Sequence, residues 1–526
     1  MKARAHSNRA IFSGVWVVVI VVSMVACGAS PAEDANSSLA PTRTSAPVAT
    51  IDAPTVAPAT APTKAAPEPT AAQSAPQTTA TPRVVAAVAD TKPAAPACED
   101  VQPNLDSSTP KATTTAGNIV YITPEGNVAL TDPAGRKKID VTTDGFVDRE
   151  RQALRMYQFP TFSNDGKWLA FVSVSGDATN GLTQTLYVTP AIEKPKLINL
   201  YSTAEDNIPY IDWSPDNETV AFLTIGGGAG EIRTVSKSGG PISVLDSGRS
   251  VYWHWRNDSA AIVAHLGGAY SSDGDAHISV IDSISQNGEQ NTLNRIESLP
   301  GRFQSPQYSP DGKFMLFVLG VDREVDDLML ADASGKLICT VTRMEAGAFF
   351  AWSPNGTQIA YLDTLAPVQQ PGPLSILDLK TGKKTIIDRS AMMFFWSPDG
   401  AKIALYSLVT DGKLPQLGRT SGKLAAPALQ NNATALRIEV IDAATGDALT
   451  VADTLPTRDF LQFFQFFDQY SRAVTPWSPD SSSLVFITVN SASQTADVGI
   501  ATLGKTKNAF TLSRVAAGSV AFWSPQ

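Results

Sequence analysis

Three of the four histidines, His254, His265 and His277, fall in one short stretch. In a hairpin turning about Ser271, the strand ending at His265 would face the strand beginning at His277, with Asp273 and Asp275 in the loop between. Two imidazoles and the Asp273 carboxylate form a donor set that can hold zinc or a similar ion. Ordinary hydrogen-bonded strand histidines would look the same. A second candidate chemistry belongs to Asp206, Asp322 and Asp326, because paired acids roughly 5 to 10 Å apart would serve glycoside cleavage. The acidic run Asp322-Arg323-Glu324-Val325-Asp326-Asp327 also suits a solvated turn. No G-x-S-x-G elbow, H-E-x-x-H pair or Walker loop is present. Gly226-Gly227-Gly228-Ala229-Gly230 lies between two strands rather than before a helix, so it reads as a hairpin loop.

What would position these groups is a repeat. Aromatics at 162, 213, 255, 308, 352, 396, 477 and 523 are followed by Ser-Pro-Asp-Gly or a variant, and their spacing is 42 to 53 residues except for one interval of 81. Strand-rich units of this period signal a propeller or solenoid. Ser, Pro, Asp and Gly in that order suit a type I turn, and the residues after it, such as Leu169-Ala170-Phe171-Val172 and Ile359-Ala360-Tyr361-Leu362, have strand chemistry. Further turns follow Asp at Ile376-Leu377-Asp378 and Val440-Ile441-Asp442, giving four antiparallel strands per unit, A to D from the aromatic onward. An aromatic repeated in every unit is expected to pack between blades rather than bind.

The chain ends on Ser519-Val520-Ala521-Phe522-Trp523, a strand A with no partners after it, and begins its repeats at Asn118 with three strands and no strand A before them. Joining the two makes a composite blade and leaves no open edge. The expected fold is therefore all-β, a propeller of eight four-stranded blades, with seven as the alternative if the Trp255 unit is not a blade. On these motifs the region from Gly117 to Gln526 resembles the TolB-type, WD40-like ("PD40") propeller repeat. That resemblance implies either envelope proteins that bind other proteins or peptidases in which the propeller gates substrate. The sequence shows neither the α/β domain of the first pattern nor the hydrolase domain of the second.

Lys2, Arg4 and Arg9 precede an apolar run from Ile11 to Val22, which reads as an export signal over residues 1–26. Met24-Val25-Ala26-Cys27-Gly28 resembles a bacterial lipobox, implying lipid on Cys27 and anchorage to a membrane face. An uncleaved signal anchor is the alternative, and both readings put the propeller outside the cytoplasm. Residues 27–116 are rich in Ala, Pro, Thr and Ser with few large apolar side chains, so a disordered tether reaching roughly 50 Å is expected. Cys98 and Cys339 either pair, pinning tether to ring, or remain separate thiols. Net charge of −9 and a pI near 5.1 give no basic face for nucleic acid.

The long interval holds two insertions, near 409–435 and 455–474, which emerge on one face because B–C and D–A connections share a rim. The second carries Phe460, Phe463, Phe464, Phe467 and Tyr470 at helical spacing after Thr457, Arg458 and Asp459. Such a stripe either packs on the ring or meets a partner. The expected function is an envelope-tethered, non-catalytic, monomeric scaffold that needs no cofactor. It would bind a protein or peptide through Phe463, Phe466, Phe467 and Tyr470. The alternative is an exported hydrolase or lyase acting on glycans or peptides.

Overall fold

The computed structural model describes residues 95–101, 117–192, 195–267, 276–283, 292–296, 301, 304–321, 325–344, 348–363, 372–409, 435–465, 467–490, 495–506 and 508–526. The signal and lipidation residues, nearly all of the tether and the 410–434 part of the first insertion lie outside them.

The repeated corner is built by its serine. Ser163, Ser214, Ser309, Ser353, Ser397 and Ser478 each donate from Oγ to the carboxyl or carboxamide oxygen two residues on, at 2.5 to 2.7 Å. Each also accepts the N–H five residues on, at 2.8 to 3.0 Å. The fourth residue of the turn is left-handed, with φ from 59° to 71°, which suits Gly166, Gly312, Gly356 and Gly400. Asn217, Ser259 and Ser481 accept that strain at the equivalent position for a reason visible in their side chains. Each takes a backbone N–H from the preceding blade's turn, Asp165 to Asn217 at 3.1 Å, Asp216 to Ser259 at 3.0 Å and Asp399 to Ser481 at 3.0 Å. The departures from glycine are blade-to-blade clasps.

The aromatics ending strand A make the other seam. Trp213, Trp396 and Trp477 donate their indole N–H to the carbonyl just before the aromatic of the preceding blade, at Thr161, Ala351 and Phe395. Their repetition is thus structural.

The sheets compose eight blades. Blade 1 joins Ile119–Ile122, Val128–Thr131 and Lys138–Asp140 to the C-terminal Ala521–Trp523, with Val120 opposite Phe522 and Tyr121 opposite Ala521. Blade 2 (Ala153–Phe162, Trp168–Asp177, Gly181–Pro190, Ile198–Thr203) stands taller than the rest and gains a fifth strand, Phe146–Asp148. Blade 3 is Asn207–Trp213, Thr219–Gly226, Ala229–Ser236 and Ser243–Gly248. The Trp255 unit forms blade 4 (Val251–Trp255, Ala261–Leu266, His277–Asp282, Thr292–Ile296), which resolves the count at eight. Blade 5 is Gln307–Tyr308, Phe314–Gly320, Asp326–Asp332 and Leu337–Met344. Blades 6 and 7 share one thirteen-residue strand, Lys384–Trp396, which is D of one and A of the other because no Gly or Pro interrupts it. Blade 8 keeps Ser483–Asn490, Thr495–Leu503 and Phe510–Ala517, its strand A reduced to a bridge between Trp477 and Leu484 beside Pro476, which has no N–H to give.

Three short helices complete the described chain: α1 (Cys98–Val101), α2 (Arg458–Gln465) and α3 (Phe467–Ala473). Among the described residues no helix is long and apolar enough to cross a membrane. Cys98 is disulfide-bonded to Cys339 on the outer strand of blade 5.

Candidate functional site: the plugged axis

The insertion between blades 7 and 8 turns into the ring. Thr457 caps α2, accepting the Phe460 N–H at 3.1 Å, and its hydroxyl also reaches the Ser519 carbonyl at 2.5 Å. From that anchor the aromatic stripe runs along the axis. Phe463 packs on Phe522 of blade 1 and Phe159 of blade 2, with ring centroids 4.9 and 5.5 Å apart. Tyr470 packs on Phe159 and on Tyr210 of blade 3, and donates its hydroxyl to the Pro209 carbonyl at 2.7 Å. Phe467 meets Phe349 of blade 6 and Phe394 and Phe395 of the strand shared with blade 7. Phe159 reaches the plug through a bulge between Gln158 and Thr161, where its own φ is 56°. Every blade face touched this way is a strand A, which therefore lines the axis.

Phe463, Phe467 and Tyr470 are 6%, 4% and 1% exposed. As an outward docking patch they are a correction: the stripe fills the chain's own channel, and among the described apolar side chains of α2 and α3 the exposed one is Leu461, at 45%. Phe466 lies outside the described residues.

One half of the axis is polar. The residues just before the eight strand A aromatics are Thr161, Asp212, His254 and Gln307 on blades 2 to 5, then Ala351, Phe395, Pro476 and Phe522 on the other four. Against the polar half the plug places Arg472, which donates to Ser305 Oγ at 2.8 Å and to the carbonyls of Pro306 and Ser305 at 3.1 and 3.2 Å. Burial pushes the Asp212 carboxyl up to about 7, against the opposing pull of Arg472, the Trp213 N–H and the Tyr210 hydroxyl. Burial, with Arg472 nearby, holds His254 well below the ordinary imidazole value, and its Nδ1 accepts the Tyr308 N–H at 3.1 Å. His254 is thus neutral at physiological pH. Asp212 on the ring lies within the electrostatic field of Arg472 on the plug. Neither Asp212 nor Arg472 carries a motif, but stacking the eight repeats on their aromatics exposes the polar half of the ring.

The metal candidate does not assemble. His277 pairs with Leu266 and His265 with Ile278, one residue off the expected register, so the two imidazoles project from opposite faces of the sheet. His265 is buried with Nδ1 2.8 Å from the Gln304 carbonyl, whereas His277 approaches Asp246 at 3.4 Å. Asp273 lies outside the described residues, as does Asp322. Asp326 sits fully buried on the third strand of blade 5, and Asp206 accepts the Tyr201 hydroxyl at 3.3 Å in the connection to blade 3. Neither carboxylate lies on a strand A; among the described residues just before the strand A aromatics, the carboxylate is Asp212.

Fold and axis together define an eight-bladed β-propeller whose channel is filled by its own inserted helices. No family model matches the chain, and no curated protein does. Among solved structures it is similar to TolB from Acinetobacter baumannii (19% identity, 51% of this chain and 62% of that one, TM-score 0.32). It is also similar to an oligogalacturonate lyase in complex with manganese (16% identity, 70% and 98%, TM-score 0.43) and to the periplasmic gluconolactonase of Pseudomonas aeruginosa (16% identity, 64% and 96%, TM-score 0.39). A fold of this kind does not fix an activity, so function has to be argued from the site.

Proposed function

We propose that the chain is a non-catalytic binding scaffold, exported and held at the cell envelope by lipid on Cys27, that meets a protein or peptide on the plugged face of its ring. The observation that carries this reading is the plug itself. The axial volume in which a propeller enzyme would seat a small substrate is occupied by Phe463, Phe467 and Tyr470. Binding then falls to the rim, where loops on a rigid frame commonly act. The plugged face carries several of the exposed large apolar residues: Phe146 and Val147 on the extra strand of blade 2, Val321 on blade 5 and Leu461 on α2. Phe146–Asp148 is an edge strand, and an exposed apolar edge is a template for pairing with an extended segment.

The test is affinity capture with the ring from Gly117 onward, comparing the wild type with Phe146→Ser/Val147→Ser, with Leu461→Ser and with Lys167→Glu on the opposite face. The reading expects a partner lost with the first two and kept with the third. Capture indifferent to the first two, or lost only with Lys167→Glu, sinks it.

A further inference from the structure

The tether is clamped to the ring far from where the ring's own chain begins. The Thr340 N–H donates to the Pro96 carbonyl at 2.8 Å, Ala97 bridges to Thr340 in parallel, and Ala95 packs against the apolar cluster formed by blades 4 and 5. On the other side α1 lies against blade 6: a Cβ on Gly382, at φ 68°, would stand 2.6 Å from the Glu99 carbonyl. The segment from Ala95 to Val101 therefore occupies the seam between blades 5 and 6. The chain then enters its first strand at Ile119 in blade 1. In a ring of eight, blades 1 and 5 are opposite one another.

Little besides sulfur chemistry holds the clamp. Of α1 only Cys98 is buried, and one bridge with two hydrogen bonds to the ring, from the Thr340 N–H to the Pro96 carbonyl and from the Thr340 hydroxyl to the Ala95 carbonyl at 3.5 Å, is small against the entropy of ordering seven residues. Cys98 and Cys339 are both 0% exposed, so a thiol reaches them only when the clamp opens.

We propose that the Cys98–Cys339 disulfide is a redox-set attachment point. Oxidised, the tether is held at the blade 5–6 seam; reduced, the chain's first hold on the ring is the strand at Ile119 in blade 1, on the opposite side, and the free tether gains the clamp residues 95–101. The reductant is a dithiol. Its thiolate attacks one sulfur to give a mixed disulfide, and its second thiol resolves that bond. Two electrons and two protons pass to the chain, leaving Cys98 and Cys339 as thiols and the dithiol as a cyclic disulfide. The proposal goes beyond the partner-binding reading and stands without it.

The experiment is hydrogen–deuterium exchange by mass spectrometry on the full chain, oxidised and after dithiothreitol, with Cys98→Ser as a variant that leaves strand Leu337–Met344 intact. Reduction and Cys98→Ser are each expected to speed exchange in 95–101 and at Thr340 by roughly a hundredfold or more, as for locally unfolded chain. Strand Ile119–Ile122 and helix α3 should keep their rates. Unchanged protection of 95–101 after reduction would show that packing alone holds the clamp. Loss of protection around the whole ring would show a general stability staple. Two free thiols in the purified, untreated chain would mean there is no switch. Any of these three overturns the proposal.

Discussion

Truncating Phe463 or Phe467 separates a plug from a docking patch by the size of the effect. Phe463 is 6% exposed and touches three rings, Phe159, Phe522 and Tyr470; Phe467, 4% exposed, touches Phe349, Phe394 and Phe395. Removing a buried phenylalanine to alanine costs about 3–5 kcal/mol, which includes the lost ring pairs at about 0.5–1.5 kcal/mol each. The same change on an exposed patch stays within about 0.5 kcal/mol. The two side chains seat on different blades, so their costs should nearly add to about 6–10 kcal/mol, comparable with the whole stability of a typical domain. Urea unfolding followed by tryptophan fluorescence reads this directly. The expectation is a large fall in midpoint for each single variant, a doubly substituted ring that barely folds, and no shift for Leu461→Ala. Changes under about 1 kcal/mol at both positions would refute the packing argument.

Asp212→Asn should alter the pH dependence of stability. Because burial raises the folded pKa from 3.8 to about 7, the wild-type carboxyl contributes fully below pH 3.8 and loses that contribution as pH rises through 7. The amide variant should therefore unfold at higher urea than wild type at pH 8, by up to about 4 kcal/mol, with the gap closing toward pH 4. Tyr470→Phe removes the hydroxyl bond to Pro209 and should cost about 0.5–1.5 kcal/mol by the same urea assay. Ser481→Ala keeps the left-handed backbone but loses the clasp on Asp399, so a cost of about 1–2 kcal/mol is expected, with Ser481→Gly milder.

Much of the ring is legible in the residues. The serine corner and the period determine blade order because they rest on local chemistry repeated many times, and the last strand A with the three strands that lack one determines closure. The fused strand Lys384–Trp396 is visible in hindsight as thirteen residues without a breaker. The histidine register was not readable: a hairpin loop of unknown turn type leaves the pairing free by one residue, and one residue moves an imidazole to the other face. The aromatic stripe's spacing predicts helix after Thr457, and the chain makes two, α2 and α3, yet that period is the same for a surface patch and for a plug. Only the ring's inner surface, assembled from strands hundreds of residues apart, decides between them. Asp212 feels the charge of Arg472 across such a separation, so no spacing announces them.

The most direct measurement places a photoreactive benzoylphenylalanine at position 463 and maps its cross-links after irradiation. A plugged axis yields intramolecular links to the segments around Phe159 and Phe522, in the isolated chain and in cell extract alike. Links that form chiefly to other proteins, with none to those two strands, would contradict it.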